Sequence, residues 1–131
     1  MTDIHILIVD DEADILDVLK QEIAEINKNF QIFISTSGYE ALNILRNNQI
    51  DVLITDIAMP DMDGDELHKR AKDLFPDLPI IMMTGFGYDP NHVVVNARKS
   101  GLKEVILKPF ETEKLIDIIY KELEVMNGEN V

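Results

Sequence analysis

The sequence predicts an α/β fold: a doubly wound parallel sheet of five strands with helices on both faces, in (βα)5 order. Two observations carry this. Short β-branched apolar runs alternate with helical patterns from one end of the chain to the other. The runs are near-continuous rather than alternating, as in strands covered on both faces. Parallel neighbours then need long right-handed crossovers, which the intervening helical stretches supply.

The elements follow in order. Ile4-His5-Ile6-Leu7-Ile8-Val9 is the first strand. After it Ile15, Leu19, Ile23 and Ile26 fall on one helical face. Gln31-Ile32-Phe33-Ile34 is the second strand, and Ser37-Gly38-Tyr39-Glu40 has the S-x-x-E form of a capping box opening a helix with Leu42 and Leu45 inward. Residues 52–55 form the third strand, followed by a stripe of Leu67, Ala71 and Leu74. Pro79-Ile80-Ile81-Met82-Met83 is the fourth strand. Asp89-Pro90 reads as an N-cap with proline at the first helical position, and Gly101 suits the end of that fourth helix. Glu104-Val105-Ile106-Leu107 is the fifth strand, and Leu115, Ile119, Leu123 and Met126 mark a fifth helix starting near Thr112. Five strands favour the flavodoxin-like order 2-1-3-4-5 over the Rossmann order.

The 131 residues fit one domain, spanning 1–126, with a polar tail at 127–131. A chain of this length buries roughly two thirds of its unfolded surface. It has no cysteine, which excludes disulfides and thiolate metal sites and suits a reducing cytosol. The N-terminus MTDIHILIVDDE has no secretory pattern, and no apolar run approaches the roughly 18 residues of a membrane span. The expected location is cytoplasmic. A formal net charge of -13 argues against direct contact with nucleic acid or anionic membranes.

In a doubly wound sheet ligands bind beyond the carboxyl ends of the strands, near the switch point between strands 1 and 3. Strand 1 ends in Asp10-Asp11-Glu12, strand 3 in Asp56, strand 4 in Thr84-Gly85 and strand 5 in Lys108-Pro109. Each has an ordinary alternative: Asp11 as a helix N-cap, Asp56 as a turn residue, Thr84 as a strand residue, Lys108 as a surface charge. Their joint placement on four ordered strand ends outweighs these. Three crowded carboxylates either rise in pKa or take up a cation. Oxygen ligands alone select a hard ion, Mg²⁺ or Mn²⁺. A carboxylate nucleophile, a metal, a lysine and a hydroxyl equip a site for an aspartyl phosphate.

These residues carry a family likeness. In ILIVDDE, TDIAMPDMDG, MMTG and LKPF, all in order, the chain resembles the receiver domain of two-component response regulators, the CheY-like family, from Ile6 to about Leu123. The resemblance implies that Asp56 accepts a phosphoryl group from a phosphohistidine on a sensor histidine kinase or histidine phosphotransfer protein. It implies Mg²⁺ held by Asp11, Asp56 and the Ala58 carbonyl, with Asp10 acting mainly through water. It further implies that Lys108 stabilises the phosphoryl group, that Thr84 senses it, and that the Lys108-Pro109 bond is cis. Lys108 is expected to pair with Asp56 at rest. Output would come from the surface of helix 4, strand 5 and helix 5, which regulators also use for homodimers. The domain would slowly hydrolyse its own phosphate but is otherwise no enzyme.

The sequence departs from the family where it has Val105 three residues before the lysine in place of an aromatic. Phe86, two residues after Thr84, is expected to hinder the attacking water and lengthen the phosphate lifetime; Tyr88 is a candidate stand-in for the missing aromatic. His5 starts strand 1, and His68 and His92 are expected to face solvent on helices; none receives a function. The same domain within a hybrid kinase or a longer regulator, or a binding module that works without phosphorylation, are the alternatives. A phosphatase of the haloacid dehalogenase type would need an acid where Ala58 stands. A flavodoxin would not place Asp10-Asp11-Glu12 against a flavin phosphate.

Overall fold

Strands β1 (Ile4–Val9), β2 (Phe30–Ser35), β3 (Val52–Asp56), β4 (Ile80–Thr84) and β5 (Glu104–Leu107) pair in parallel in the order β2-β1-β3-β4-β5 in the computed structural model. Between and after them run helices α1 (Ala13–Ile26), α2 (Gly38–Asn47), α3 (Gly64–Leu74) and α4 (Thr112–Asn127). The structure describes residues 3–27, 29–85, 104–108 and 110–127. The expected fourth helix, Phe86, Tyr88, His92, the Lys108-Pro109 bond and most of the tail fall outside the described residues. Accordingly α4 is the fifth helix of the sequence reading. It runs through Asn127, the residue at which the tail was expected to begin.

The apolar runs are continuous because alternate residues feed two cores. Leu7, Val9, Leu53, Ile80 and Met82 pack with Leu42, Leu45, Leu67 and Ala71 of α2 and α3. Ile6, Ile8, Val52, Ile54, Ile81 and Met83 pack with Leu16, Leu19 and Ile23 of α1 and Leu115, Ile116 and Ile119 of α4. Every residue of β3 and β4 is buried, so these central strands have no solvent face. Among the described residues no helix is long and apolar enough to cross a membrane.

Local signals hold with three corrections. Ser37 caps α2 and accepts the Glu40 N–H at 3.4 Å, as the capping box predicts. Asp11 is not a cap: Glu12 occupies that position without a side-chain bond, and the Glu12 N–H goes to Asp10 Oδ1 at 2.9 Å. Two stripe residues are not buried, Ile26 at 48 % and Leu74 at 40 % exposure. Each is the last residue of its helix, where the apolar stripe has the least left to cover it. The third correction is His68, expected in solvent but buried at 1 % exposure. It follows Leu67 and precedes Ala71 by three, on the edge of the α3 stripe, and neither ring nitrogen has a hydrogen-bond partner among the described residues.

Burial, and then the charge of Lys72, hold the His68 imidazole below its ordinary value of 6.5. The fold therefore carries it neutral, while the unfolded chain takes up the proton more readily. Stability is lost as pH falls below about 6.5 and levels off beneath the lowered folded value. His68→Leu is expected to abolish that part of the acid-side loss. Urea midpoints of both proteins between neutral and mildly acid pH measure it; an unchanged wild-type-minus-variant difference would contradict it.

Candidate functional site

The site lies where four parallel strands end together. Asp10 directly follows β1 and is tied to β2 by its N–H, which donates to the Ser35 carbonyl at 3.1 Å. Asp56 closes β3 opposite Met83. Its successor Ile57 donates its N–H to the Met83 carbonyl at 3.1 Å. Thr84 closes β4, and its carbonyl accepts the Lys108 N–H at 2.7 Å just past β5. Each side chain is thus placed by sheet hydrogen bonding rather than by a free loop.

The carboxylates of Asp10, Asp11 and Asp56 offer oxygens that all lie within 4.8 Å of one another. Asp10 is fully buried, Asp56 nearly so, and Asp11 is exposed. Lys108 answers two of them: its Nζ donates to Asp10 Oδ2 at 2.6 Å and to Asp56 Oδ2 at 3.3 Å. The expected resting partner was Asp56, but the shorter bond goes to Asp10, the more deeply buried carboxylate. Burial pushes the Asp56 carboxyl up; the Lys108 charge pulls it back and the Asp10 charge pushes it further, for a net rise above 3.8. Burial pulls the Lys108 ammonium down, but the hydrogen bond to Asp10 and the two carboxylate charges outweigh this and raise it above 10.5.

Thr84 is 1 % exposed and its Oγ1 has no hydrogen-bond partner among the described residues. A buried hydroxyl without a protein partner is uncommon. It lines a cleft of about 740 Å³ together with Asp11, Asp56, Ala58 and Lys108. Of the expected site residues, the structure brings Asp10, Asp11, Asp56, Ala58, Thr84 and Lys108 together. Val105 lies apart, partly buried against the α2–α3 core. Phe86 falls outside the described residues.

Sequence reasoning missed the cleft's extension along α1, where Ile15, Val18 and Leu19 meet Phe110 between the carboxylates of Asp14 and Glu22. Val18 is 54 % exposed there, and a single surface apolar residue of this kind carries no signal in the sequence.

A parallel doubly wound sheet with an acid cluster at its switch point and a lysine across from it fits the receiver-domain class that the sequence resembles. The comparisons agree. The model of the "Response regulator receiver domain" family matches residues 6–120, and the chain belongs to that family. The response regulator SaeR of Staphylococcus epidermidis is 36% identical over 112 residues, 86% of this chain and 47% of that protein. The chain spans about half the length of the curated relatives it matches. Among solved structures, a CheY-like receiver domain protein from Methanospirillum hungatei superposes with a TM-score of 0.86 at 32% identity, covering 98% of this chain and 100% of that one. A receiver domain protein from Clostridium thermocellum gives 0.85 at 30%, covering 95% and 97%. Receiver domains are phosphorylation-based switches of two-component systems.

A carboxyl raised above its unfolded pKa weakens the fold once pH exceeds the unfolded value, here 3.8. Asp56→Asn removes that penalty. In metal-free buffer the variant is expected to melt above the wild type at neutral pH, with the gain shrinking as pH falls through the raised value toward 3.8. A variant no more stable than wild type at neutral pH would contradict the electrostatic account of the site.

Proposed function

We propose that Asp56 is the phosphoacceptor of a two-component phosphorelay, taking a phosphoryl group from a phosphohistidine on a sensor histidine kinase or histidine phosphotransfer protein. One observation carries this: the buried Thr84 hydroxyl lines the same cleft as Asp56 and Lys108, so that cleft brings together a carboxylate, a cation and a hydroxyl donor. An Asp56 carboxylate oxygen attacks phosphorus, and the bond from phosphorus to the donor's imidazole nitrogen breaks, that nitrogen keeping the electron pair. Lys108 moves from its carboxylate partners toward a phosphoryl oxygen, and Thr84 Oγ1 donates to another. Asp10, Asp11 and Asp56 with the Ala58 carbonyl would hold Mg²⁺, or Mn²⁺; three carboxylates against one ammonium, all ligands oxygen, fit a hard divalent cation. Bound there, the ion neutralises charge on the transferring group. The phosphodonor docks over the cleft and the apolar strip along α1.

The output we infer is a changed surface of the fourth helix, β5 and α4. Leu107 on β5 is 60 % exposed, which also supports a homodimer through that face. With Val105 in the switch position, movement of the fourth helix replaces an aromatic swing. Phe86 would slow hydrolysis of the aspartyl phosphate. The domain, spanning 1–126, acts in the cytoplasm without touching nucleic acid or membrane.

Intact mass after incubation with acetyl phosphate and Mg²⁺ tests this. One phosphoryl group is expected on the wild type and none on Asp56→Asn or in EDTA. Lys108→Ala should slow its appearance about a hundredfold, the scale of losing one preorganised donor to a transition state. A wild type that gains no mass would point to a binding module that has kept the site without using it.

A further inference from the structure

The loop after Asp56 is pinned to a different part of the chain by contacts outside the acid cluster. Ser37 Oγ, at the cap of α2, donates to Asp61 Oδ2 at 2.7 Å, across 24 residues. The Ser37 hydroxyl, together with backbone N–H groups of Asp61, Met62 and Tyr39, holds the Asp61 carboxyl below its ordinary range. Beside this link, a Cβ on Gly38 would lie 2.8 Å from Met62 Cβ, so α2 comes this close only with glycine there. The far end of the loop is fastened too. The Gly64 N–H donates to the Ile57 carbonyl at 2.8 Å, and a Cβ on Gly64 would lie 2.6 Å from the Asp56 carbonyl oxygen. Between the two fastenings sits Ala58, at the wall of the cleft.

Ser37 also connects back to the acid cluster. Its N–H donates to Ser35 Oγ at 3.1 Å, and Ser35 Oγ donates to the Ser37 carbonyl at 2.8 Å. The Ser35 carbonyl in turn accepts the Asp10 N–H. A path of hydrogen bonds therefore runs from Asp10 through Ser35 and Ser37 to Asp61, and along the loop to Asp56. It closes a circuit whose other half is the β1–β3 pairing. An exposed hydrogen bond of this kind is weak alone, but here it closes a loop already held at its other end.

We propose that Ser37 and Asp61 are a positioning pair, which fixes the loop carrying Ala58 and so sets the spacing of the metal-binding oxygens. This rests on the divalent-metal reading of the acid cluster. Neither residue touches the reacting atoms.

Two measurements on purified protein test the pair. Calorimetric titration with Mg²⁺ reads the site, and amide hydrogen exchange at residues 57–63 without metal reads the loop. Ser37→Gly removes the hydroxyl while keeping most of the cap. It and Asp61→Ala should each weaken Mg²⁺ binding roughly tenfold, the scale for supporting partners of metal ligands. The double variant should be no worse than either single one, because both break one link. Asp61→Asn keeps an oxygen acceptor for Ser37 and should restore most of the affinity. Loop amides should exchange faster in both single variants while those of β3 do not. Full Mg²⁺ affinity in both single variants, or unchanged loop exchange, would overturn the pair. A wild type that binds no Mg²⁺ would instead overturn the metal reading and the pair's effect on it, leaving exchange to decide whether the clamp holds the loop.

Discussion

Three carboxylates, two of them buried, share one cleft with a single ammonium group among the described residues. The rest of the structure is arranged around holding them there. In water such charges would move apart; here Asp10 and Asp56 are held by backbone pairing to β2 and β4. Parallel topology achieves this because all five strands deliver their carboxyl ends to the same edge. Lys108 offsets part of the repulsion, favouring Asp10 over Asp56. Removing that lysine would leave two buried carboxylates facing each other, which costs far more than an exposed ion pair contributes.

The uneven sharing of Lys108 has a mechanistic consequence. Its shorter bond goes to Asp10, so Asp56 is the less tightly held carboxylate and the one whose protonation is favoured by burial. A nucleophile already engaged at full strength by its counter-ion would be a poorer attacker. On the proposed phosphoacceptor role of Asp56, the cation sits beside the reacting group, close enough to follow the transferring charge. The buried Thr84 hydroxyl, which has no hydrogen-bond partner among the described residues, lines the same cleft. Such sites trade stability for function.

Much of this was legible in the residues themselves. Near-continuous apolar runs such as Ile6-Leu7-Ile8-Val9 of β1 demanded a strand covered twice, and the two cores on either side of the sheet satisfy that demand. The acids, the threonine and the lysine each end a strand, so once the strands were placed in order their convergence followed. What stayed hidden were contacts between segments with no shared periodicity. Periodicity finds the middle of a buried stripe and not its edge, hence the misplaced His68 and the uncovered Ile26 and Leu74. Nor does spacing reveal which of two nearby carboxylates a lysine prefers. The Ser37–Asp61 link joins two turns whose residues each look like ordinary capping or turn chemistry.

The central claim is that the acid cluster is built to be neutralised by a divalent cation. The most direct test is the melting temperature of the wild type against Mg²⁺ concentration at constant ionic strength, with Asp11→Asn alongside. Selective binding to the folded state should raise stability with the logarithm of Mg²⁺, by about 2.7 kcal/mol at a hundredfold excess over Kd. The account predicts that rise in the wild type and its near absence in Asp11→Asn. A melting temperature that ignores Mg²⁺, or responds to it no more than to an equal ionic strength of NaCl, would contradict it.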